Sequence, residues 1–505
     1  MLRFDLAHRM FRTIALVFLA TAVLLGAATS PFAQSNQPIQ LHPKNLHYFL
    51  FRGKAVALIT SGEHYGAVLN ADIDNKKYLA TLAADGLNYT RIFGGIYVEV
   101  PGKSFGIQRN DLAPQPGRFA APWMRSETPG YAGSGNKFDL SKWNPIYFER
   151  YKSYLAEASR RGIAVEISLF SSHYGQQQWD ISPINLTNNV NGTDAIDWKR
   201  AETLENGNIL KFQEAYVRKL VREANEFDNV IFEIQNEPWS DRPQMVDVVN
   251  PYLQKPGRDQ YPNSIEIADE LSIAWQARVA EWIINEEAIL PNKHLIAQNY
   301  SNFHFPIRSL LPQTSVVNFH YAYPEAATEN YGLDKAIAYD ETGFLGREDD
   351  GYRRQAWNFM LSGGGAFDAL DYSFSPGHED GLDTEPNGPG GGSAAFRKQL
   401  GILKNFLQHF DLVGLKLDRQ TVRHCDGAYA RVLSNSGREY AVYLDGDGPT
   451  ELKLDLPRGN YSAEWLNVKN GSVDGIEKFH HAGGIRTLPS PKFSGGIAVR
   501  IAKAD

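Results

Sequence analysis

Two glutamates stand where short apolar runs end. Glu237 lies in "VIFEIQNEPW" (230–239) and Glu341 lies in "AIAYDETGF" (336–344). Carboxyl groups that face each other across a sugar can cleave its glycosidic bond, because one protonates the leaving oxygen while the other attacks the anomeric carbon. A separation of about 5–5.5 Å between the two groups gives retention of configuration. The residue types therefore point to retaining glycoside hydrolysis. The alternative, that Glu237 and Glu341 are both ordinary surface-loop glutamates, is disfavoured.

A repeating pattern of strand and helix must position these two residues. Short apolar runs alternate with amphipathic stretches between about residues 40 and 410, and runs of this kind suit parallel strands buried on both faces. The runs are 55–60, 88–93, 164–170, 230–234, 294–298, 315–320, 336–339 and 365–372. Eight units of strand and helix predict a closed (β/α)₈ TIM barrel. An open doubly wound sheet would place a glycine-rich phosphate turn after the first strand, and "LITSGEHYG" is not such a turn.

In a barrel, the residues at the carboxyl ends of the strands face the active site. The fourth and seventh strands lie on opposite arcs of the barrel mouth, so Glu237 and Glu341 are expected to face each other. Polar and titratable residues at the ends of the predicted strands are Glu63, His64, Arg91, His173, Asn236, Glu237, Asn299, His320, Tyr321, Asp340, Glu341, Asp371 and Tyr372.

The "NEP" after the fourth strand and the "ETG" after the seventh resemble clan A glycoside hydrolases, of which the family 5 cellulase-like enzymes are the nearest pattern. The resemblance covers roughly residues 40–410. It implies that Glu237 is the acid/base and Glu341 the nucleophile. It further implies that Asn236 binds the sugar 2-hydroxyl and that Arg91 keeps the nucleophile ionised.

The resemblance also assigns a polar pair on the sixth strand, His320 and Tyr321. Family 5 enzymes usually read histidine-x-tyrosine there, whereas this chain reads "HYAYP", so either Tyr321 or Tyr323 is expected to touch the nucleophile. They also tend to carry a tryptophan platform after the eighth strand, where this chain offers Tyr372 and Phe374. These departures argue against a plain cellulase.

The chemistry of the two roles sets expectations for their surroundings. A general acid must hold a proton near neutral pH, so Glu237 is expected in dry surroundings, with Trp239 beside it. A buried guanidinium within hydrogen-bonding distance of Glu341 would lower the pKa of that nucleophile. Replacing Arg91 with Ala is then expected to cost activity with little loss of fold. Strand alternation predicts that Asp340 points away from the site as a structural partner.

Two long inserts, 94–140 and 171–205, follow the second and third strands and are rich in Gly, Asn, Pro and aromatic residues. Loops of this length in a compact domain are usually functional. Trp123, Tyr174 and Trp179 are candidate surfaces for stacking against sugar rings. The predicted substrate-binding residues are Arg91, Asn236, His320, Tyr321, Tyr372, Trp239 and Trp179.

The pattern changes after residue 410. Short alternating strands separated by Asp-Gly, Pro and Gly turns predict a small all-β sandwich over 411–505, after a barrel over 40–410. The single Cys425 allows no intrachain disulfide, and burial in a C-terminal strand is favoured over a catalytic thiol.

The N-terminal residues 1–33 combine Arg3, Arg9 and Arg12 with an apolar stretch and small residues, which predicts a secretory signal peptide and a secreted or periplasmic protein. The net charge of −7 and the absence of a basic run disfavour nucleic-acid binding and lasting membrane attachment.

The prediction is thus a secreted glycosidase that acts on oligo- or polysaccharides and needs no metal or other cofactor. A non-catalytic carbohydrate-binding barrel is one alternative. A metal-dependent barrel hydrolase is the other, although it would want His-x-His on the first strand, where "SGEHYG" has a single histidine. The oligomeric state stays open.

Overall fold

The computed structural model describes residues 37–248, 264–384 and 388–504. The predicted signal peptide, residues 1–33, lies outside the described residues. The described chain begins with a small antiparallel sheet of three strands, β1 (Gln40–His42), β2 (Asn45–Phe51) and β3 (Lys54–Val56). Phe49 and Phe51 of this sheet, together with Ile39 just before it, pack against the first residues of the barrel strands and close the lower end of the barrel.

The strands that follow build the barrel and two inserted hairpins. They are β4 (Leu58–Gly62), β5 (Tyr89–Phe93), the hairpin β6 (Trp123–Pro129) and β7 (Asn136–Trp143), β8 (Ala164–Ser171), β9 (Val230–Asn236), the hairpin β10 (Pro243–Asp247) and β11 (Ser264–Ala268), β12 (Leu295–Asn302), β13 (Val316–His320), β14 (Ala336–Glu341) and β15 (Ala366–Leu370).

The eight barrel strands pair in parallel in the order β4-β15-β14-β13-β12-β9-β8-β5. Asn88 joins the two ends of this order, because its N–H donates to the Ile59 carbonyl (3.3 Å) and its side-chain oxygen accepts from the Ile59 N–H (2.9 Å). The predicted TIM barrel is therefore confirmed, and all eight predicted strands are present. The first strand begins later than expected, since residues 54–56 belong to the small lower sheet.

The helices surround the barrel. They are α1 (Asn75–Ala84), α2 (Pro145–Arg160), α3 (Gln176–Ile181), α4 (Leu210–Ala224), α5 (Glu270–Ala288), α6 (Pro324–Asn330), α7 (Asp349–Met360) and α8 (Ala394–Gln408), with short 3₁₀ turns at Leu186–Asn188, Trp198–Arg200, Gly207–Ile209 and Tyr331–Leu333. Side-chain oxygens satisfy the first free N–H groups, as Asp74 does for α1, Asn144 for α2 and Asp269 for α5. Within the described ranges, no helix has both the length and the apolar character that a membrane span needs.

The C-terminal strands form two antiparallel sheets that pack face to face. The strands are β16 (Lys416–Leu417), β17 (Val422–Cys425), β18 (Ala428–Asn435), β19 (Glu439–Gly446), β20 (Glu451–Leu456), β21 (Gly459–Leu466), β22 (Val473–His481), β23 (Gly484–Pro489) and β24 (Ile497–Ala504). One sheet has the order β16-β18-β19-β24-β21-β22 and the other β17-β20-β23. Val442, Leu454, Trp465 and Leu488 fill the space between them, which confirms the predicted sandwich. The lone Cys425 lies partly buried in β17.

The sandwich packs against α7 of the barrel. Trp357 stacks on Tyr443 with ring centres 5.4 Å apart. Asp445 accepts hydrogen bonds from Arg354 Nε (2.6 Å) and Asn358 Nδ2 (2.8 Å). These contacts lie on the outer wall of the barrel, so they support the barrel without adding side chains to its mouth.

Candidate active site

Glu237 and Glu341 meet at the mouth of the barrel. Glu237 follows the last residue of β9 and Glu341 is the last residue of β14, and each is only 8 % exposed. A carboxylate oxygen of each residue and one ring nitrogen of His320 lie within 4.8 Å of one another. The two carboxylates thus approach each other closely, as the acid/base and nucleophile of a retaining glycosidase do.

The backbone of Glu237 is held in an unusual conformation. Its φ of 45° lies in the left-handed region, which residues other than glycine rarely adopt. Two hydrogen bonds fix it there: the Glu237 N–H donates to Asn299 Oδ1 (2.9 Å), and the Glu237 carbonyl accepts from Ser172 Oγ (2.6 Å). Pro238 follows, and a proline disfavours the right-handed helical conformation for the residue before it. The Asn-Glu-Pro sequence thus turns the chain sharply and aims the carboxylate across the mouth.

Tyr321 contacts the other carboxylate. Its hydroxyl donates to Glu341 Oε1 (2.8 Å), and its backbone N–H donates to the Glu341 carbonyl (2.9 Å). Of the two tyrosines that the sequence offered, Tyr321 is therefore the one on Glu341, whereas the Tyr323 ring stacks against Phe303. Tyr321 reaches this place because it also adopts a left-handed conformation, with φ 49°.

Arg91 lies beneath the site and is fully buried. Its guanidinium donates to Glu233 and to Asn236 Oδ1 (2.8 Å), and it lies 3.5 Å from Asp340. The distance from Arg91 Nη1 to Glu341 Oε2 is 3.6 Å, which is an ion-pair contact longer than a hydrogen bond. The arginine therefore lies beside the predicted nucleophile but beyond the expected hydrogen-bonding distance, and its main partner is the buried Glu233.

His320 shares a proton with Glu237. His320 Nδ1 lies 2.8 Å from Glu237 Oε1 and 3.6 Å from Glu341 Oε2. Burial lowers the pKa of His320, but the charges of Glu341 and Asp340 outweigh burial and hold that pKa well above its ordinary value. Burial raises the pKa of Glu237, but the hydrogen bond and charge of His320 more than offset this effect and lower it. One proton therefore lies on the 2.8 Å contact between the two residues.

The expected pKa values of the two glutamates were wrong for the free protein. Burial raises the pKa of Glu341 above its ordinary value; the charge of His320 opposes this shift, while the negative charge of Glu237 adds to it. The sequence did not show that His320 would bond to Glu237. These groups titrate together: moving the proton from His320 to Glu237 removes the negative charge that raises the pKa of Glu341 and, with it, the positive charge that lowers that pKa.

Asn236 is oriented by three neighbours. Its Nδ2 donates to the Tyr174 hydroxyl (2.7 Å) and to Ser171 Oγ (3.3 Å), while its Oδ1 accepts from Arg91. These bonds fix the amide plane beside Glu237. Tyr174, a candidate stacking residue, lines the pocket together with Asn236.

A narrow pocket with about 50 Å³ of free space opens above the two glutamates. Its lining includes the strand-end residues His64, Tyr321 and Tyr372 that the sequence pattern identified. Sequence reasoning missed several other lining residues, five of them in the first long insert and most of them aromatic or apolar: Tyr65, Phe93, Tyr97, Glu99, Phe105, Ile107, Leu112, Thr342, Phe344, Leu370 and Pro389. The length of the insert was the one signal for them, because an irregular loop has no periodicity that marks its inward side.

Three tryptophans that the sequence offered near the site do not line the pocket. Trp239 is 1 % exposed and packs edge-on against His320, behind Glu237. Trp179 is 3 % exposed and packs edge-on against His173, and Trp123 is 1 % exposed. The assignment of Trp179 and Trp239 as substrate-binding residues is therefore corrected: both are packing residues, since their rings are covered by protein.

A bulge corrects the expected orientation of Asp340. β13 and β14 pair Phe319 with Tyr339 and then His320 with Glu341, so the register skips Asp340. Its carboxylate lies 3.5 Å from Arg91 and 3.6 Å from His320, inside the barrel rather than on the outer side. The expectation that Asp340 is a structural partner is compatible with this position, although the expected direction was wrong.

In the described part of the chain, two groups of side chains have the donor atoms for a metal ion. Glu237, His320 and Glu341 form one group, and Glu166, Glu233 and Asp340 form the other. Arg91 already brings a positive charge to Glu233, Asp340 and Glu341 in the two groups. This charge makes either place less favourable for a cation.

Comparisons with known proteins place the fold. No protein-family model and no curated protein matches the chain. A solved structure described as a glycoside hydrolase superimposes with a TM-score of 0.59 at 14 % identity, covering 93 % of this chain and 97 % of the other. A glycoside hydrolase family 5 structure from Bacteroides vulgatus gives a TM-score of 0.59 at 13 % identity, covering 92 % and 93 %. At this identity the likeness shows the fold, and it confirms the predicted barrel with an appended β domain.

Proposed function

We propose that the protein is a secreted retaining glycoside hydrolase that cleaves β-linked glycans by double displacement. The observation that carries this proposal is the approach of Glu237 and Glu341, with carboxylate oxygens within 4.8 Å at the barrel mouth. In the first step, a Glu341 oxygen attacks the anomeric carbon as the bond to the leaving oxygen breaks. Glu237 gives its proton to that oxygen, and the sugar becomes an ester on Glu341.

The second step returns the protein to its starting state. Glu237, now ionised, takes a proton from a water molecule whose oxygen attacks the anomeric carbon. The ester bond breaks, Glu341 leaves as a carboxylate, and the sugar is released with its original configuration. The two steps consume one water molecule and balance without a further reagent.

The hydrogen bond between His320 and Glu237 supports the role of Glu237. His320 Nδ1 and Glu237 Oε1 are 2.8 Å apart. When the substrate displaces water, the site solvates the imidazolium and the carboxylate less well, and the proton moves from His320 to Glu237, which leaves both groups neutral. Glu341 is then the carboxylate that remains ionised, with the Tyr321 hydroxyl bonded to one oxygen and Arg91 3.6 Å from the other. These two contacts lower the pKa of Glu341 and so oppose the effect of burial on the nucleophile.

The remaining parts of the site suit a carbohydrate. Asn236, fixed by Arg91 and Tyr174, is placed to bond the 2-hydroxyl next to the reacting carbon. Tyrosines line the walls, where their rings can cover apolar sugar faces and their hydroxyls can reach sugar hydroxyls. We infer an oligo- or polysaccharide substrate, and the acidic chain and the signal-like residues 1–33 support a secreted or periplasmic location.

A panel of 2-deoxy-2-fluoro-β-glycosyl fluorides tests the proposal. The 2-fluorine slows both steps and the fluoride leaving group speeds the first, so the sugar accumulates on the nucleophile and mass spectrometry of peptides locates it. We expect stoichiometric label on the peptide that contains Glu341, and turnover of the matching aryl β-glycoside. If the protein binds sugars but is not labelled by any of the fluorides and hydrolyses none of the matching aryl β-glycosides, it is the non-catalytic carbohydrate-binding alternative.

A further inference from the structure

Two phenylalanines, Phe105 and Phe344, lie at the outer rim of the pocket and are here called the rim pair. Both line the pocket, and their exposed fractions are 50 % and 63 %. The other described residues that line it are buried or half-buried, and Glu237 and Glu341 are each only 8 % exposed. The rim pair therefore lies further out, toward solvent, than the two glutamates.

Phe105 lies on the side of the mouth that carries Glu237. Its ring packs edge-on against the Tyr174 ring, with ring centres 5.2 Å apart. The Tyr174 hydroxyl accepts a hydrogen bond from Asn236, the residue before Glu237. The side chain of one tyrosine thus connects the Phe105 ring to the polar residues that surround the acid/base.

Phe344 lies on the side of the mouth that carries Glu341. Its ring packs edge-on against the Tyr321 ring, with ring centres 5.3 Å apart, and the Tyr321 hydroxyl donates to Glu341. The Phe344 N–H donates to the carbonyl of Pro389, another residue of the pocket lining (2.8 Å). The rim pair thus places one exposed ring beside each half of the catalytic pair.

Both members of the rim pair adopt a left-handed backbone conformation, with φ 50° at Phe105 and φ 64° at Phe344. This conformation costs free energy in a bulky residue, and residues strained in this way cluster at ligand-binding sites. Because half or more of each residue is exposed, burial of the ring offsets little of that cost. Folding alone therefore gives no reason for an aromatic ring at either position.

The position of the rim pair indicates which ligand its rings bind. The three tryptophans near the site are covered by protein, so among the described residues the rim pair supplies the exposed aromatic surface of the pocket. Single exposed apolar residues are common on protein surfaces, but these two rings share one pocket with the two glutamates. Aromatic rings there can cover the apolar C–H faces of a sugar ring.

We propose that Phe105 and Phe344 bind the sugar unit next to the one whose glycosidic bond is cleaved. The sugar on the two glutamates is surrounded by buried and half-buried lining residues, and the next unit of the chain lies at the rim, where the two rings pack against its C–H faces. The rim pair thus makes the enzyme favour a chain of sugars over a single sugar. This inference rests on the proposed glycosidase function.

Glycine substitutions separate binding from folding. Phe105→Gly and Phe344→Gly remove the ring and relieve the left-handed conformation, so Tm is expected not to fall. Each is expected to lower kcat/KM on a β-linked trisaccharide by about 10-fold, because the neighbouring sugar loses the apolar surface that it covers. Phe105→Tyr and Phe344→Tyr keep the ring and should keep kcat/KM.

Asp334→Gly is the matched control. Asp334 is exposed and also left-handed, with φ 52°, and it precedes β14 at the end of the barrel opposite the mouth. The same change of backbone freedom there should leave kcat/KM unchanged.

Two substrates locate the sugar that the rings bind. A β-glycosyl fluoride that the protein hydrolyses contains one sugar without a neighbour, and the β-linked trisaccharide of the same sugar supplies neighbours. We expect both glycine variants to keep the wild-type kcat/KM on the fluoride and to lose it on the trisaccharide alone. An equal loss on both substrates would overturn the inference, because the rings would then act on the reacting sugar or on the fold.

The remaining outcomes separate the inference from the function on which it rests. Unchanged kcat/KM of the glycine variants on the trisaccharide would overturn the inference and leave the glycosidase function standing. Hydrolysis of the fluoride but of none of its β-linked trisaccharides would do the same. No hydrolysis of any fluoride or trisaccharide by the wild type would contradict the proposed function itself.

Discussion

Two layers of carboxylates in the same barrel do different work. The outer layer is the pair Glu237 and Glu341 at the mouth, each 8 % exposed. The inner layer lies beneath it and is 0–1 % exposed; its members are Glu166, Glu233, Asp340 and Asp368. Burial raises the pKa of Glu166 to about 8, and it raises those of Glu233 and Asp368 as well. Burial thus raises the pKa of Glu341 in the outer layer as well as those of Glu166, Glu233 and Asp368, and the two layers differ instead in that the outer pair lines the pocket.

The inner layer is held by hydrogen bonds rather than opened to substrate. Tyr89 donates to Glu166 (2.6 Å), and Asn318 donates to Glu166 (2.5 Å) and to Glu233 (2.9 Å). Arg91 is the one cation beside Glu233 in the described part of the chain and also reaches the outer layer at Glu341. A change in the outer layer should therefore affect rate with little effect on stability, and a change in the inner layer should affect stability.

Glu341→Gln should show the largest effect on rate. Loss of the nucleophile closes the covalent route and should lower kcat on an aryl β-glycoside by on the order of 10⁴-fold. The thermal midpoint should not fall, because the substitution removes a buried charge whose pKa burial already raises. A large fall in Tm with partial activity would place Glu341 with the structural carboxylates instead.

Arg91→Ala should show the largest effect on stability. It leaves Glu233 and Asp340 without their buried cation, and breaking a buried pair by removing one partner costs about 3–5 kcal/mol. This expectation corrects the one drawn from sequence, which foresaw little loss of fold. Urea unfolding of the variant measures the cost, with Arg354→Ala on the outer wall as control, expected at about 0–1 kcal/mol. Equal stability in the two variants would contradict a structural inner layer.

Tyr321→Phe should show an intermediate effect on rate. It removes the hydroxyl that donates to Glu341 (2.8 Å) and keeps the ring. A hydrogen bond to a charged group contributes about 1.5–3 kcal/mol, which corresponds to roughly a 10–100-fold loss of kcat/KM. Steady-state kinetics of Tyr321→Phe and Tyr323→Phe side by side check the assignment, and a larger loss in the second variant would reverse it.

Glu166→Gln should show the smallest effect, a change in how stability depends on pH. The folded-state pKa of Glu166 is raised to about 8 from an ordinary 4.5. Between these values the folded state holds a proton that the unfolded chain has lost, so Glu166 makes stability fall as pH rises. A neutral glutamine removes this contribution. Tm should then fall less between about pH 5 and pH 8 in Glu166→Gln than in the wild type, with Glu127→Gln as control. Parallel curves for all three proteins would show that Glu166 is ionised when folded.

The sequence was sufficient for the fold and for the residues fixed by periodicity. Apolar runs and helical spacing located all eight barrel strands, and the strand ends then pointed to Glu237, Glu341 and Arg91. The β-bulge that turns Asp340 inward breaks the two-residue period, so no alternation rule could find it. The sequence does not show whether an aromatic side chain is buried or exposed. Trp179 and Trp239 were therefore predicted to bind substrate, although both are buried packing residues. Glu99 was missed because its position depends on how an irregular loop folds back on itself.

The roles of the two mouth glutamates are separated most directly by azide rescue of their alanine variants on an aryl β-glycoside with a good leaving group. In Glu341→Ala, azide can attack from the vacated nucleophile side, and we expect an α-glycosyl azide. In Glu237→Ala, the first step needs no proton for such a leaving group, the ester on Glu341 accumulates, and azide opens it to a β-glycosyl azide. Swapped anomers would exchange the two assignments, and wild-type turnover in both variants would contradict the account.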